Sequence, residues 1–180
     1  MRDDDIDIAR LIRSIPDYPK PGVVFRDITT LLKDRDGFQH VIETLAAGYA
    51  QRTIDKVAGI ESRGFIIGAA LAHRLDAGFV PIRKRGKLPA PSFGRDYLLE
   101  YGSDRLELHC DAMHAGEAIL LVDDLLATGG TAEAALKLIE RTGAAIIGAA
   151  FVIDLPDLGG RARLERQEYS VRTLCTFSGH

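Results

Sequence analysis

Apolar positions recur along this chain with two periods, about 3.6 and 2, and the switches between them mark its elements. Residues 36–52 place Phe38, Val41, Ile42, Leu45 and Tyr49 at helical spacing, which predicts an amphipathic helix. Residues 56–60 are a short apolar run that reads as a buried strand, and 64–75 read as a helix rich in small residues. Residues 78–82 and 118–122 read as two more strands, the second ending at Asp123. Residues 131–141 return to helical spacing through Ala135, Leu136 and Ile139, with Gly143 placed to end the helix. The apolar run 144–153 ends at Asp154, and 170–177 give a last strand.

Residues 97–101 and 105–110 read as strands around the turn at Gly102-Ser103-Asp104. In the second of them Leu106, Leu108 and Cys110 alternate with Glu107 and His109. Residues 83–95 are rich in Arg, Lys, Pro and Gly and read as a long polar loop. At the front, residues 3–15 combine early Asp residues with Ile6, Leu11, Ile12 and Ile15, which suits the start of a helix. Pro16, Pro19, Pro21 and Gly22 break that pattern before the extended piece 23–25.

Strands alternate with helices from Lys56 through Ile153. That order predicts an α/β fold with a mostly parallel central sheet flanked by helices. The length of 180 residues suits one domain, 1–180, with no internal repeat and no linker. The net charge of −3 gives no support for a nucleic-acid partner. No apolar run reaches the roughly 18 residues of a membrane-spanning helix. The acidic start, Met1-Arg2-Asp3-Asp4-Asp5, does not read as a signal peptide, so the expectation is a cytoplasmic protein. Cys110 and Cys175 form no CxxC or zinc spacing and read as reduced core thiols.

The chemistry concentrates in Ile119-Leu120-Leu121-Val122-Asp123-Asp124-Leu125-Leu126-Ala127-Thr128-Gly129-Gly130-Thr131. A buried strand leads to an acidic pair, and the pair leads to a small-residue turn that opens a helix. Gly129 and Gly130 lack Cβ atoms, so backbone N–H groups can approach an anion. The following helix adds unpaired N–H groups and the positive end of its dipole. Thr128 and Thr131 add hydroxyls. Asp123 and Asp124 repel phosphate but accept hydrogen bonds from sugar hydroxyls. The run therefore suits a phosphorylated sugar. It is neither a GxxxxGK[ST] loop nor a GxGxxG fingerprint.

These residues resemble the motif with which type I phosphoribosyltransferases bind PRPP (5-phosphoribosyl 1-diphosphate). The resemblance assigns Asp123 and Asp124 to the ribose, and Ala127, Thr128, Gly129, Gly130 and Thr131 to the 5-phosphate. Five further stretches are similar to adenine phosphoribosyltransferases, and the similarity as a whole runs from about Ile12 to His180. Residues 21–29 resemble a base-binding hood segment, and Glu61-Ser62-Arg63-Gly64-Phe65 a pyrophosphate loop. Residues 82–89 and 99–102 match the two ends of a mobile lid, and 154–160 the far side of the base pocket.

The resemblance implies a type I phosphoribosyltransferase fold with a small hood, formed by about 1–35 and parts of 150–180, and a mobile lid loop. It implies that adenine and PRPP give AMP and pyrophosphate, with Mg²⁺ carried mostly by PRPP oxygens and water. Arg63, Arg83, Lys84 and Lys87 are then candidates for the pyrophosphate, with Arg83 and Lys84 reaching across a homodimer. Val24 and Arg26 would read the adenine edge through their backbone, Phe25 would stack on one face and Leu155 would pack the other. Glu100 would handle the proton at N7 as the catalytic residue. A cis peptide between Glu61 and Ser62 is a further expectation. A purine enzyme for xanthine, hypoxanthine or guanine would need a donor for O6, often a Lys near the base. A non-catalytic sensor of PRPP would usually need a DNA-binding attachment.

Overall fold

The computed structural model describes residues 6–98 and 103–179. A 3₁₀ helix, Ile8–Leu11, leads into a two-stranded antiparallel sheet of β1 (Arg13–Pro16) and β2 (Val24–Asp27). Two helices follow, α1 (Thr29–Leu32) and α2 (Arg35–Ala47). The remaining strands are β3 (Lys56–Ile60), β4 (Gly78–Lys84), β5 (Ser92–Leu98), β6 (Ser103–His109), β7 (Ala118–Leu126), β8 (Ala145–Asp154) and β9 (Val171–Thr176). Three helices lie among them: α3 (Arg63–Arg74), α4 (Gly130–Glu140) and α5 (Gly160–Glu165).

The seven strands form one sheet in the order β5-β6-β4-β3-β7-β8-β9. Five run parallel, from β4 through β9, while β6 is antiparallel to β4 and β5 antiparallel to β6. Side chains of successive strand residues point to opposite faces. Leu120 and Val122 therefore pack with α2 and α3, through Val41, Leu45, Ile67 and Leu71. Ile119 and Leu121 pack with α4, through Ala135, Leu136 and Ile139. A sheet buried on both faces explains why these strands read as unbroken apolar runs.

Four sequence expectations change. Residues 3–15 do not form one helix, because Arg13–Pro16 extends to pair with β2 after a single 3₁₀ turn. The stretch 83–95 is not a loop throughout. β4 runs on to Lys84, and Ser92–Leu98 pairs along its whole length with Ser103–His109. The strand before the acidic pair does not stop at Val122. β7 continues to Leu126 because β8 pairs alongside it as far as Leu126↔Asp154. Cys110 is exposed rather than buried, since it falls in the turn just after β6.

Candidate active site

Chain order in the sheet reverses beside β3. β4 lies on one side of it and β7 on the other. Ligands of open α/β sheets bind at such a switch point, beyond the carboxyl ends of the strands. β3 pairs with β7 only as far as Gly59↔Val122, and β7 then continues alone on that side. A cleft opens there, with Glu61 and Arg63 on one wall and Asp123 and Asp124 on the other.

The loop from Ala127 to Thr131 closes one end of this cleft. Gly129 is in the left-handed region at φ +79° and caps α4 with no side-chain hydrogen bond. The first N–H groups of α4 therefore keep their capacity for an anion. Behind the loop, a Cβ on Gly160 would press on the Ala127 carbonyl and stand 2.9 Å from Gly129 N. On the other side, a Cβ on Gly64 would stand 2.9 Å from Asp123 Oδ1. Glycines thus let α3 and α5 pack directly onto the loop and the acidic pair. The peptide between Glu61 and Ser62 is cis, as the resemblance implies.

Charges alternate across the cleft. The Arg63 guanidinium donates to Asp124, whose side chain is buried. Asp123 Oδ1 accepts from the Asp124 backbone N–H at 2.9 Å. Burial, then repulsion by the Asp124 carboxylate, pushes Asp123 well above the usual carboxylate range. Glu61 is held below that range. Burial opposes its ionisation, but the Lys84 N–H at 3.0 Å and the Arg83 guanidinium at 3.2 Å outweigh it. Arg63 also lies over the Phe25 ring at 5.7 Å, so one cation spans the acidic pair and the neighbouring apolar pocket.

Two cavities meet here. One, of about 290 Å³, is lined by Arg63, Lys84, Asp123, Asp124 and the loop from Ala127 to Thr131. The other, of about 410 Å³, is lined by Val24, Phe25, Arg26 and Leu155, together with Leu125 and Leu158. Both are in the size range of small-molecule sites. Every expected phosphate, ribose and base residue therefore reaches one of the two cavities.

The expected basic residues divide. Arg63 and Lys84 line the first cavity. Arg83 is engaged with Glu61 and with the Lys87 carbonyl at 3.1 Å, and Lys87 is exposed. Neither of these two is on the cavity wall. The Arg26 side chain turns away from the second cavity to Ser14 and the Ser178 carbonyl, and stacks over Phe177 at 4.4 Å. Glu100 lies outside the described residues. Sequence reading missed Tyr97, Asp104 and Leu125 as wall residues. It placed Gly160 with the segment 154–160 on the far side of the base pocket, whereas Gly160 packs against the loop backbone at Ala127 and Gly129.

A family model for the phosphoribosyl transferase domain matches residues 27–176. Adenine phosphoribosyltransferase of Bradyrhizobium sp. strain ORS 278 is 57% identical over 98% of both chains. That of Agrobacterium fabrum strain C58 is 59% identical over 97% of both. Among solved structures, adenine phosphoribosyltransferase of Rhodothermus marinus superposes with a TM-score of 0.89 at 48% identity, covering 94% of this chain and 96% of that one. The Saccharomyces cerevisiae enzyme, complexed with an imino-altritol bisphosphate and adenine, superposes with a TM-score of 0.88 at 38% identity, covering 94% and 97%.

Proposed function

The chain belongs to the phosphoribosyl transferase family, and we propose that it is an adenine phosphoribosyltransferase, joining adenine to PRPP to give AMP and pyrophosphate. One observation carries the reading: Leu125 and Ala127 are wall residues of both cavities. A flat base between Phe25 and Leu155 would abut a sugar held by Asp123 and Asp124. Bringing the two reactants into contact is the larger part of what such a site must do.

The phosphate of PRPP sits on the loop from Ala127 to Thr131, and the ribose hydroxyls donate to Asp123 and Asp124. Arg63 and Lys84 face the pyrophosphate and stabilise the charge that builds on its oxygens as the glycosidic bond breaks. Arg83 supports Glu61 and the turn that follows it. Adenine presents a donor at its 6-amino group and an acceptor at N1, whereas hypoxanthine and guanine reverse both. Among the described residues β2 pairs with one strand, β1, which leaves backbone groups along its other edge to read that pattern. Glu100 takes up the proton of N7 as N9 attacks.

Mg²⁺ belongs to this reading and fits the residues present. No group of three acidic, His or Cys side chains gathers into a metal cage among the described residues. Asp123, Asp124 and Glu61 instead border the cavity, which suits a cation that arrives on PRPP with most of its water. When bound, it neutralises charge on the pyrophosphate oxygens. A homodimer is also part of the proposal. No helix of the described residues is long and apolar enough to cross a membrane.

The test is to incubate the protein with Mg²⁺, PRPP and each purine base in turn, and to resolve the nucleotides formed. AMP from adenine is expected. IMP, GMP or XMP alone would replace adenine with another base, and PRPP binding without turnover would make the protein a sensor.

A further inference from the structure

Three side chains on the wall of the sugar-phosphate cavity have no place yet in the reaction or only part of one: Lys84, Tyr97 and Asp104. Tyr97 on β5 and Asp104 on β6 are register partners. Lys84 ends β4 opposite Leu106, two residues along β6 from Asp104. Residues two apart on a strand share a face, so all three side chains meet on one side of the sheet.

They meet at one atom. Asp104 Oδ2 is 3.4 Å from the Lys84 ammonium and accepts from the Tyr97 hydroxyl at 3.4 Å. Its other oxygen accepts the Arg105 backbone N–H at 2.7 Å, which fixes the carboxylate plane. The backbone of Lys84 is held separately, by its N–H to Glu61.

A carboxylate on the wall of an anion site weakens anion binding by simple charge. Its presence is explained if it sets the geometry of a cation. Lys84 is a point charge on a flexible four-carbon stem, and an unrestrained stem loses entropy when it meets a ligand. A partner that fixes the ammonium beforehand removes part of that loss.

We propose that Asp104 is a positioning residue: it holds the Lys84 ammonium and the Tyr97 phenol on the cavity wall. The proposal rests on reading this cavity as the PRPP site. The segment between β5 and β6 contains Glu100. Tyr97 and Asp104 are paired on the two strands that flank this segment.

The experiment is a double-mutant cycle read on binding and on turnover. Mg²⁺-pyrophosphate and PRPP are titrated into wild type, Asp104→Ala, Asp104→Asn, Lys84→Ala and the Asp104→Ala/Lys84→Ala pair, and kcat and KM are measured for both substrates. Asp104→Ala is expected to weaken PRPP and pyrophosphate about three- to tenfold while the KM for adenine stays within about twofold. Asp104→Asn keeps an acceptor for Tyr97 and falls between, and it carries the test should the alanine variant fail to fold. In the Lys84→Ala background the loss at position 104 disappears. Tighter binding of pyrophosphate by Asp104→Ala alone would mean that the carboxylate only repels, and full additivity with Lys84→Ala would mean that the two do not act together; either overturns the proposal. Wild type that makes no AMP while the cycle still shows coupling would sink the adenine reading and leave this one standing.

Discussion

At Gly160 the first residue of α5 touches the phosphate loop backbone to backbone. A methyl group there would press on the Ala127 carbonyl and on Gly129 N at 2.9 Å, and neither is a flexible side-chain end. Overpacking of this kind costs about 1–3 kcal/mol and moves the loop. Gly160→Ala is therefore expected to raise the KM for PRPP about tenfold or more, with a lower melting temperature, in steady-state kinetics and thermal denaturation. Gly159→Ala adds a Cβ to open space but at φ +73°, so it strains the chain without touching the loop. Its effect is expected in the melting temperature and not in that KM. Glu100→Ala belongs to this scale too. Loss of a positioned proton acceptor lowers kcat by about 10²-fold or more. PRPP affinity, measured by calorimetry, should stay near that of wild type. An unchanged kcat would remove Glu100 from the reaction.

The two-stranded element β1–β2 frames the cavity proposed for the base, and Asp27 pins it. Its carboxylate accepts from Arg13 across the strand pair and from the Thr29 N–H at 2.9 Å, at the start of α1. The Arg13 bond first, and then Thr29, hold the Asp27 pKa down at about 2. A folded pKa below the unfolded value of about 3.9 adds stability above that value and loses it as pH falls through the folded pKa. Asp27→Asn should therefore melt below wild type at neutral pH, with the gap closing between about pH 4 and pH 2. A gap that persists unchanged at pH 2 would dismiss this coupling. Elements of this kind were the least legible in the sequence. β1 is four residues long and its burial is mixed, so no period separates it from the helical turn before it. The first half of β5 is read as loop because Ser92, Gly94 and Arg95 dilute its pattern, and its pairing with β6 decides the matter. The long buried elements, β3, α3, α4 and β8, were legible because their apolar runs or helical periods continue with little interruption.

For the whole molecule, the fold brings β2, the turn at Glu61–Arg63, the end of β4, the acidic pair with its glycine loop, and Leu155 to the two adjoining cavities. The acidic pair, the glycine loop and the base platform were legible because each carries its chemistry in neighbouring residues. Tyr97 and Asp104 were not, because they become neighbours of Lys84 only through the β4–β6–β5 register. Arg83 and Lys87 read like Lys84 in sequence, yet strand alternation and the Glu61 ion pair take Arg83 off the cavity wall. A site built by the fold should in turn stabilise the fold when filled. With Mg²⁺ and PRPP at about 100 times Kd, the native state gains about 2.7 kcal/mol. A melting-temperature rise of roughly 5–10 °C is expected for a chain of this size. No shift would mean that PRPP does not bind the folded chain.

The central claim is that one chain selects adenine and couples it to PRPP across the wall shared by two cavities. Its most direct measurement is a competition: equimolar adenine, hypoxanthine, guanine and xanthine with Mg²⁺ and limiting PRPP, with the nucleotide products separated and counted. AMP is expected as the dominant product, with pyrophosphate released in equal amount. IMP, GMP or XMP as the dominant product would contradict it.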